Sequence, residues 1–157
     1  MNKSWLNKIP FFMGWYLAGF ADGEGSFNVS IRKKDYSIGW QISSTFNVSQ
    51  KDSKILYLFK RWLGCGIIRQ RKDGKFYYEV NNLNSLKERV IPFFDKYYFL
   101  SSEKKRNFRI FKEIVIMMYE KKHLTPEGFN KILQLREELN KGRGRKRKYN
   151  IEDVLKN

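Results

Sequence analysis

Cysteine and histidine are nearly absent: Cys65 and His123 are the single examples in 157 residues. A disulfide framework needs paired cysteines, and a zinc centre needs several Cys or His ligands. Both are excluded by inventory, as is any nuclease chemistry built on clustered His and Cys. The lone thiol fits a reducing, intracellular setting. Acids are scarce too, 16 against 32 Lys and Arg, which leaves a formal charge of +16. No apolar run reaches the ~18 residues of a membrane span. Residues 9–21 are apolar but short and run into acids and glycines, and no small-x-small cleavage pattern or transit peptide stands out.

Hydrophobic residues make up 41% of the chain, with 13 Phe, 9 Tyr and 4 Trp. That is enough for one domain with one core, so the basic charge does not imply disorder. An excess of base this large points to a polyanionic partner. Composition alone admits nucleic acid, an anionic membrane or acidic protein tails.

Residues 1–9 read as a loose N-terminal arm, 10–140 as the folded domain and 141–157 as a basic tail. Pro10 suits the first turn of a helix running to Ala21, apolar on nearly all sides. A helix buried all round in so small a domain suggests that a second chain covers part of it. Gly14 and Ala18 lie four apart, as do Gly19 and Gly23, a spacing that lets helix backbones approach closely. From Ser26 the period becomes two, giving a strand to Arg32, a turn, and a second strand from Trp40 to Gln50. Asp52 or Ser53 then caps a helix ending at Leu63. Ile67–Arg71 and Lys75–Val80 form a hairpin about Asp73-Gly74. Three helical stretches follow: Asn84–Tyr98, which Pro92 is placed to kink or split, Ser102–Lys121, and one opened by Thr125-Pro126 that ends near Asn140. The order is α-β-β-α-β-β-α, an α+β fold with an antiparallel four-stranded sheet and helices on one face.

The other sheet face is expected to be polar, basic and uncovered. Its first hairpin would offer Asn28, Ser30, Arg32, Lys34, Gln41, Ser43, Thr45 and Asn47. Its second would add Arg69, Arg71, Lys75 and Tyr77. Arg pairs with guanine edges and Asn or Gln with adenine edges, and a two-stranded ribbon fits the major groove. The tail string KGRGRKRK, residues 141–148, holds six basic residues, among them Arg143, Arg145 and Lys146, and suits phosphate contact. An ordinary solvated sheet face and a plain basic tail are the competing readings.

The nonapeptide Leu17-Ala18-Gly19-Phe20-Ala21-Asp22-Gly23-Glu24-Gly25 puts two carboxylates at the C-terminal end of the first helix. Helix C-termini carry partial negative charge, so acids there favour a bound cation. Hard Mg²⁺ takes carboxylate, carbonyl and phosphate oxygens. A turn with incidental acids is the alternative. The string occurs once, and no internal repeat is present.

This string resembles the signature of the LAGLIDADG homing endonucleases, matching at Leu17, Ala18, Gly19, Asp22 and Gly25 with Glu24 replacing the last Asp. The element order after it resembles that family's fold over nearly the whole chain, with the sheet as a DNA-binding saddle. The resemblance implies an intron-encoded, site-specific endonuclease making a metal-dependent double-strand break, with short 3′ overhangs, in a long pseudo-palindromic target. It implies that Glu24 is the catalytic metal ligand, helped by the Gly23 carbonyl, with Mg²⁺ or Mn²⁺ supporting turnover and Ca²⁺ binding without it. It assigns Gln50 to the attacking water, Lys54 (with Lys51 as rival) to a basic role, and Lys104 to a second one. Some relatives carry that second lysine where this chain has Ser102. One motif per chain implies a homodimer with a seam of Gly14, Leu17, Ala18, Ala21 and Asp22. An RNA maturase or a non-cleaving DNA binder on the same fold is the alternative. Bacterial cytoplasm, chloroplast and mitochondrion all fit the family.

Overall fold

The computed structural model describes residues 3–35, 37–141 and 146–156. The expected contacts of Arg143 and Arg145 lie outside the described residues. A short helix α1 (Ser4–Asn7) precedes α2 (Phe11–Glu24), which is capped by Pro10 and carries the nonapeptide to its last turn. Strands β1 (Gly25–Lys33) and β2 (Trp40–Gln50) follow, then α3 (Lys54–Leu63), β3 (Ile67–Gln70) and β4 (Phe76–Val80). The sheet order is β1-β2-β4-β3, with antiparallel neighbours throughout.

Local chemistry sets the punctuation. Asp52 Oδ1 accepts the Lys54 N–H at 2.9 Å and so caps α3. Gly64 ends that helix at φ +68°, a conformation that favours glycine. At the tip of the second hairpin Asp73 Oδ1 accepts the Lys75 N–H at 3.1 Å. Beyond the sheet, α4 (Leu83–Ser85) leads through a π-helical turn at Leu86–Val90 into α5 (Ile91–Lys96). Pro92 has no N–H to offer, and the widened turn directly before it absorbs the missing bond without breaking the rod. α6 (Ser102–Tyr119) and α7 (Pro126–Glu138) complete the helical layer, with Thr125 Oγ1 accepting the Gly128 N–H at 3.1 Å. None of the described helices is long and apolar enough to cross a membrane.

The strand register decides the faces. Phe27 lies opposite Phe46, Val29 opposite Ser44 and Ile31 opposite Ile42, and these side chains are buried under the helices. Val48 continues this face opposite Tyr78, and Phe46 opposite Val80. Phe27 is the hub of an aromatic core, with Phe46 at 5.2 Å and Phe111 at 4.9 Å between ring centroids.

Described residues of the expected arm and tail pack against the domain. Leu6 and Ile9 are buried, Lys96 Nζ donates to the Leu6 carbonyl at 3.1 Å, and the Arg89 guanidinium stacks over Trp5. At the other end Tyr149 packs edge-on against Trp40 at 5.1 Å, and α8 (Ile151–Leu155) buries Val154. Isolated apolar residues in polar company hold each end to the domain.

Candidate active site and nucleic-acid surface

The face opposite the helices carries the polar residues expected there. Asn28, Ser30, Arg32, Arg69, Arg71 and Lys75 are exposed, and Gln41, Ser43, Thr45, Asn47 and Tyr77 are half-buried among them. The pairings Asn28 with Thr45, Ser30 with Ser43, Arg32 with Gln41 and Arg69 with Tyr77 keep those eight in register, Asn47 pairs with Ser26, and Arg71 and Lys75 lie just past the strand ends at the hairpin tip. Glu79 is the one acid that the four strands contribute to this face. Lys34 lies past the strand end, in the turn, where its N–H donates to the Gly39 carbonyl at 3.0 Å. Gln70 shares the register of Phe76 on the inner face, so the hairpin has no slip there.

Glu24 ends α2, and Gly25, the next residue, pairs with Val48. Gln50 follows two residues on, opposite Phe76. The motif acid and the end of β2 therefore meet at one end of the sheet. Lys54 begins α3 four residues later and is exposed. Gln50 Oε1 accepts the Lys51 N–H at 2.7 Å, which bends the side chain back over its own turn. Lys104, in the first turn of α6, donates its ammonium to the Gly25 carbonyl. Lys104 thus reaches the foot of α2 directly, Gln50 ends the strand paired to it, and Lys54 stands one turn further along the chain.

Glu24 is exposed and makes no hydrogen bond or ion pair among the described residues. The Ala21 carbonyl accepts the Gly25 N–H, whereas the Gly23 carbonyl lacks an intrahelical partner by position and lies at the negative end of the helix dipole. A hard divalent cation fits this donor set of one open carboxylate and adjacent carbonyl oxygens. The described residues gather no group of three His, Cys, Asp or Glu side chains. The remaining ligands of such an ion would have to come from elsewhere, namely phosphate oxygens, water or a second chain.

Asp22 does different work. Its Oδ2 accepts the N–H groups of Leu100 at 3.3 Å and Ser101 at 3.1 Å, and its Oδ1 accepts the Ser101 hydroxyl. It is turned into its own chain, not towards a partner.

The seam residues need the same correction. Leu17, Ala18 and Ala21 are buried in the core at 0%, 2% and 0% exposure, and Gly14 lies beneath the ring of Tyr97. The exposed stripe of α2 is instead Phe12 (70%), Tyr16 (55%), Gly19 and Gly23. Of the two small-residue pairs legible in the sequence, Gly14/Ala18 serves the internal core and Gly19/Gly23 faces out with nothing within 4 Å of either added Cβ. An all-round apolar helix gives periodicity no direction, so the pattern does not say which pair faces out.

The outer edge of β1 holds residues the sequence did not flag. Asn140 Nδ2 donates to the Phe27 carbonyl at 2.7 Å, and the buried Arg136 donates through Nε to the Val29 carbonyl at 3.0 Å. With Lys104 on Gly25, three successive outward carbonyls of this edge strand are capped by side chains. Burial pulls the Arg136 pKa down, the neighbouring Arg147 adds to that, and Glu137 opposes it. Arg147 itself donates to the Leu139 carbonyl at 2.7 Å and pairs with Glu137 at 2.9 Å, which fixes the start of the C-terminal segment. These residues line an open cavity of about 820 Å³ along β1, with Ser26, Asn28, Ser30 and Lys146 on its walls. The one sequence signal was Asn140 just past a helix end, where asparagine tolerates the left-handed conformation it adopts (φ +53°).

The LAGLIDADG endonuclease family pattern matches residues 17–115. A probable intron-encoded endonuclease of Neurospora crassa is 34% identical over 145 residues, covering 89% of this chain. This chain spans 32% of that relative's length. Among solved structures, an archaeal intron-encoded homing endonuclease, I-Vdi141I, complexed with DNA, superposes with TM-score 0.86 at 33% identity, covering 92% of this chain and 93% of that one. I-SmaMI bound to an uncleaved DNA target in the presence of calcium ions gives 0.78 at 36% identity, covering 83% of this chain and 46% of that one.

Proposed function

This chain belongs to the LAGLIDADG endonuclease family, and we propose that it is a site-specific DNA endonuclease that acts as a homodimer. The carrying observation is the placement of Glu24, an unengaged carboxylate at a helix C-terminus, at one end of a sheet face that is polar, basic and almost free of acids. That face presents the donors and acceptors of base readout in two ribbons, and Arg32, Arg69, Arg71, Lys75 and Lys146 supply phosphate contacts. Arg143 and Arg145 extend the same basic segment. The chemistry is phosphodiester hydrolysis in double-stranded DNA, at a long, nearly palindromic site.

Glu24 and the Gly23 carbonyl would hold the divalent ion, Mg²⁺ or Mn²⁺ for turnover, with Ca²⁺ binding unproductively. When bound, such an ion supplies positive charge to the attacking and leaving oxygens of the scissile phosphate. Gln50, at the same end of the sheet, orients the attacking water. Lys104, bonded to the Gly25 carbonyl next in sequence to Glu24, would supply positive charge for the developing phosphorane, and Lys54 would contribute at the start of α3.

Two strands need two carboxylates, and one chain carries one motif. The exposed stripe Phe12, Tyr16, Gly19 and Gly23 supports a second copy of the chain as its cover, since so much aromatic surface is unusual on a monomer. Two α2 helices crossing at Gly19 and Gly23 would bring both Glu24 residues to the floor of one saddle. The site of action is the compartment that holds the host intron, an organelle or a bacterial cytoplasm.

The test is incubation with a duplex spanning the intron-less exon junction that flanks the coding sequence, with Mg²⁺ and with a chelator. Double-strand cleavage confined to the Mg²⁺ sample supports the reading. Binding without cleavage in Mg²⁺ and Mn²⁺ contradicts it and favours the maturase or DNA-binder alternative.

A further inference from the structure

We propose that Asp22 is the positioning residue for Lys104, a role that rests on the endonuclease reading of the site above. The two acids of the nonapeptide lie two residues apart yet point to different tasks. Glu24 is exposed at the helix end, whereas both oxygens of Asp22 are engaged by the segment that opens α6. Leu100 and Ser101 donate backbone N–H groups, and Ser101 adds its hydroxyl. This fixes a negative charge at the N-terminus of an 18-residue helix, where the dipole favours it.

Three residues beyond Ser101, Lys104 reaches back to the Gly25 carbonyl. The last turn of α2 and the first turn of α6 therefore grip each other twice, at Asp22–Ser101 and at Gly25–Lys104. The second grip places an ammonium on the backbone carbonyl of the residue that follows Glu24. The first grip sets the height and rotation of α6, which decides whether the lysine reaches that point. An Asp22 carboxylate saturated by three donors is poorly placed to serve as a metal ligand. It acts on the reacting centre through Ser101 and the helix. Misplacing a charge-stabilising group by about 1 Å costs on the order of 10²-fold in rate.

The experiment combines single-turnover cleavage of the junction duplex with side-chain ammonium NMR of the DNA-free protein, for the parent, Asp22→Ala, Asp22→Asn, Lys104→Met and the Asp22→Ala/Lys104→Met double variant. The expected result is a roughly 10²-fold slower cleavage step in Asp22→Ala with unchanged DNA affinity. The double variant should be no slower than the slower single, because both changes remove the same placed charge. Asp22→Asn keeps a carbonyl acceptor for the Ser101 N–H and should recover most of the rate, and it tests the idea even if Asp22→Ala does not fold. The Lys104 ammonium signal should shift in Asp22→Ala. Fully multiplicative losses, an unmoved Lys104 signal, or an Asp22→Asn variant as inactive as Glu24→Gln would each overturn the proposal. Failure of the parent to cut the duplex would sink the endonuclease reading instead, while the NMR arm still decides the coupling.

Discussion

Gly14 sits directly beneath the ring of Tyr97: a Cβ built there would lie 2.2 Å from Cζ. The small residue in the first half of α2 thus makes room for the chain's own aromatic core. Gly14→Ala should lower stability by about 1–3 kcal/mol through overpacking. Chemical denaturation checks this, with the midpoint moving to lower denaturant and the slope unchanged.

Gly19→Leu should act on assembly and not on the fold. Nothing within 4 Å obstructs its side chain in the monomer, so the fold should survive with stability changed by less than about 1 kcal/mol. Where two α2 helices cross, the added bulk would separate them. Analytical ultracentrifugation should find the parent as a dimer and the variant as a folded monomer.

Arg136→Met should destabilise the β1 edge. It removes the donors to the Val29 and Tyr149 carbonyls, both at 3.0 Å. Each buried acceptor left unpaired costs about 1–3 kcal/mol. Hydrogen exchange should accelerate in residues 146–156 and along β1, and thermal unfolding should occur at lower temperature.

The open face and the C-terminal segment should separate in salt titrations. Lys146→Ala should weaken DNA binding evenly across sequences and reduce the salt slope by about 0.9 if it meets one phosphate. Asn47→Ala should leave the slope unchanged and cost about 1–3 kcal/mol at one base-pair position in each half-site. Fluorescence anisotropy over a set of singly substituted duplexes distinguishes the two.

Much of this architecture could be read from residue patterns, and the misses share a physical cause. Alternation from Phe27 to Ile31 and from Ile42 to Val48 defines which way each strand faces, so the open surface is legible in the residue pattern. Thr125-Pro126 and Asp73-Gly74 mark their turns because each needs a particular backbone geometry. The outward face of α2 was not legible, since Phe11, Phe12, Trp15, Tyr16 and Phe20 surround the helix and distant residues such as Tyr97 and Phe59 decide which side is buried. The docking of Tyr149 on Trp40 and the Asn140–Phe27 bond join residues more than a hundred positions apart, and local pattern carries no trace of such pairs.

The central claim is that Glu24 is the metal-holding carboxylate of a DNA-cleaving site. Glu24→Gln is nearly isosteric and leaves the sheet face untouched, so binding and chemistry can be read apart. The deciding measurement is cleavage of the junction duplex in Mg²⁺ alongside its dissociation constant, for parent and variant in the same buffer. The account predicts an unchanged dissociation constant and no double-strand cleavage by Glu24→Gln. Cleavage at the parent rate by the variant would contradict it.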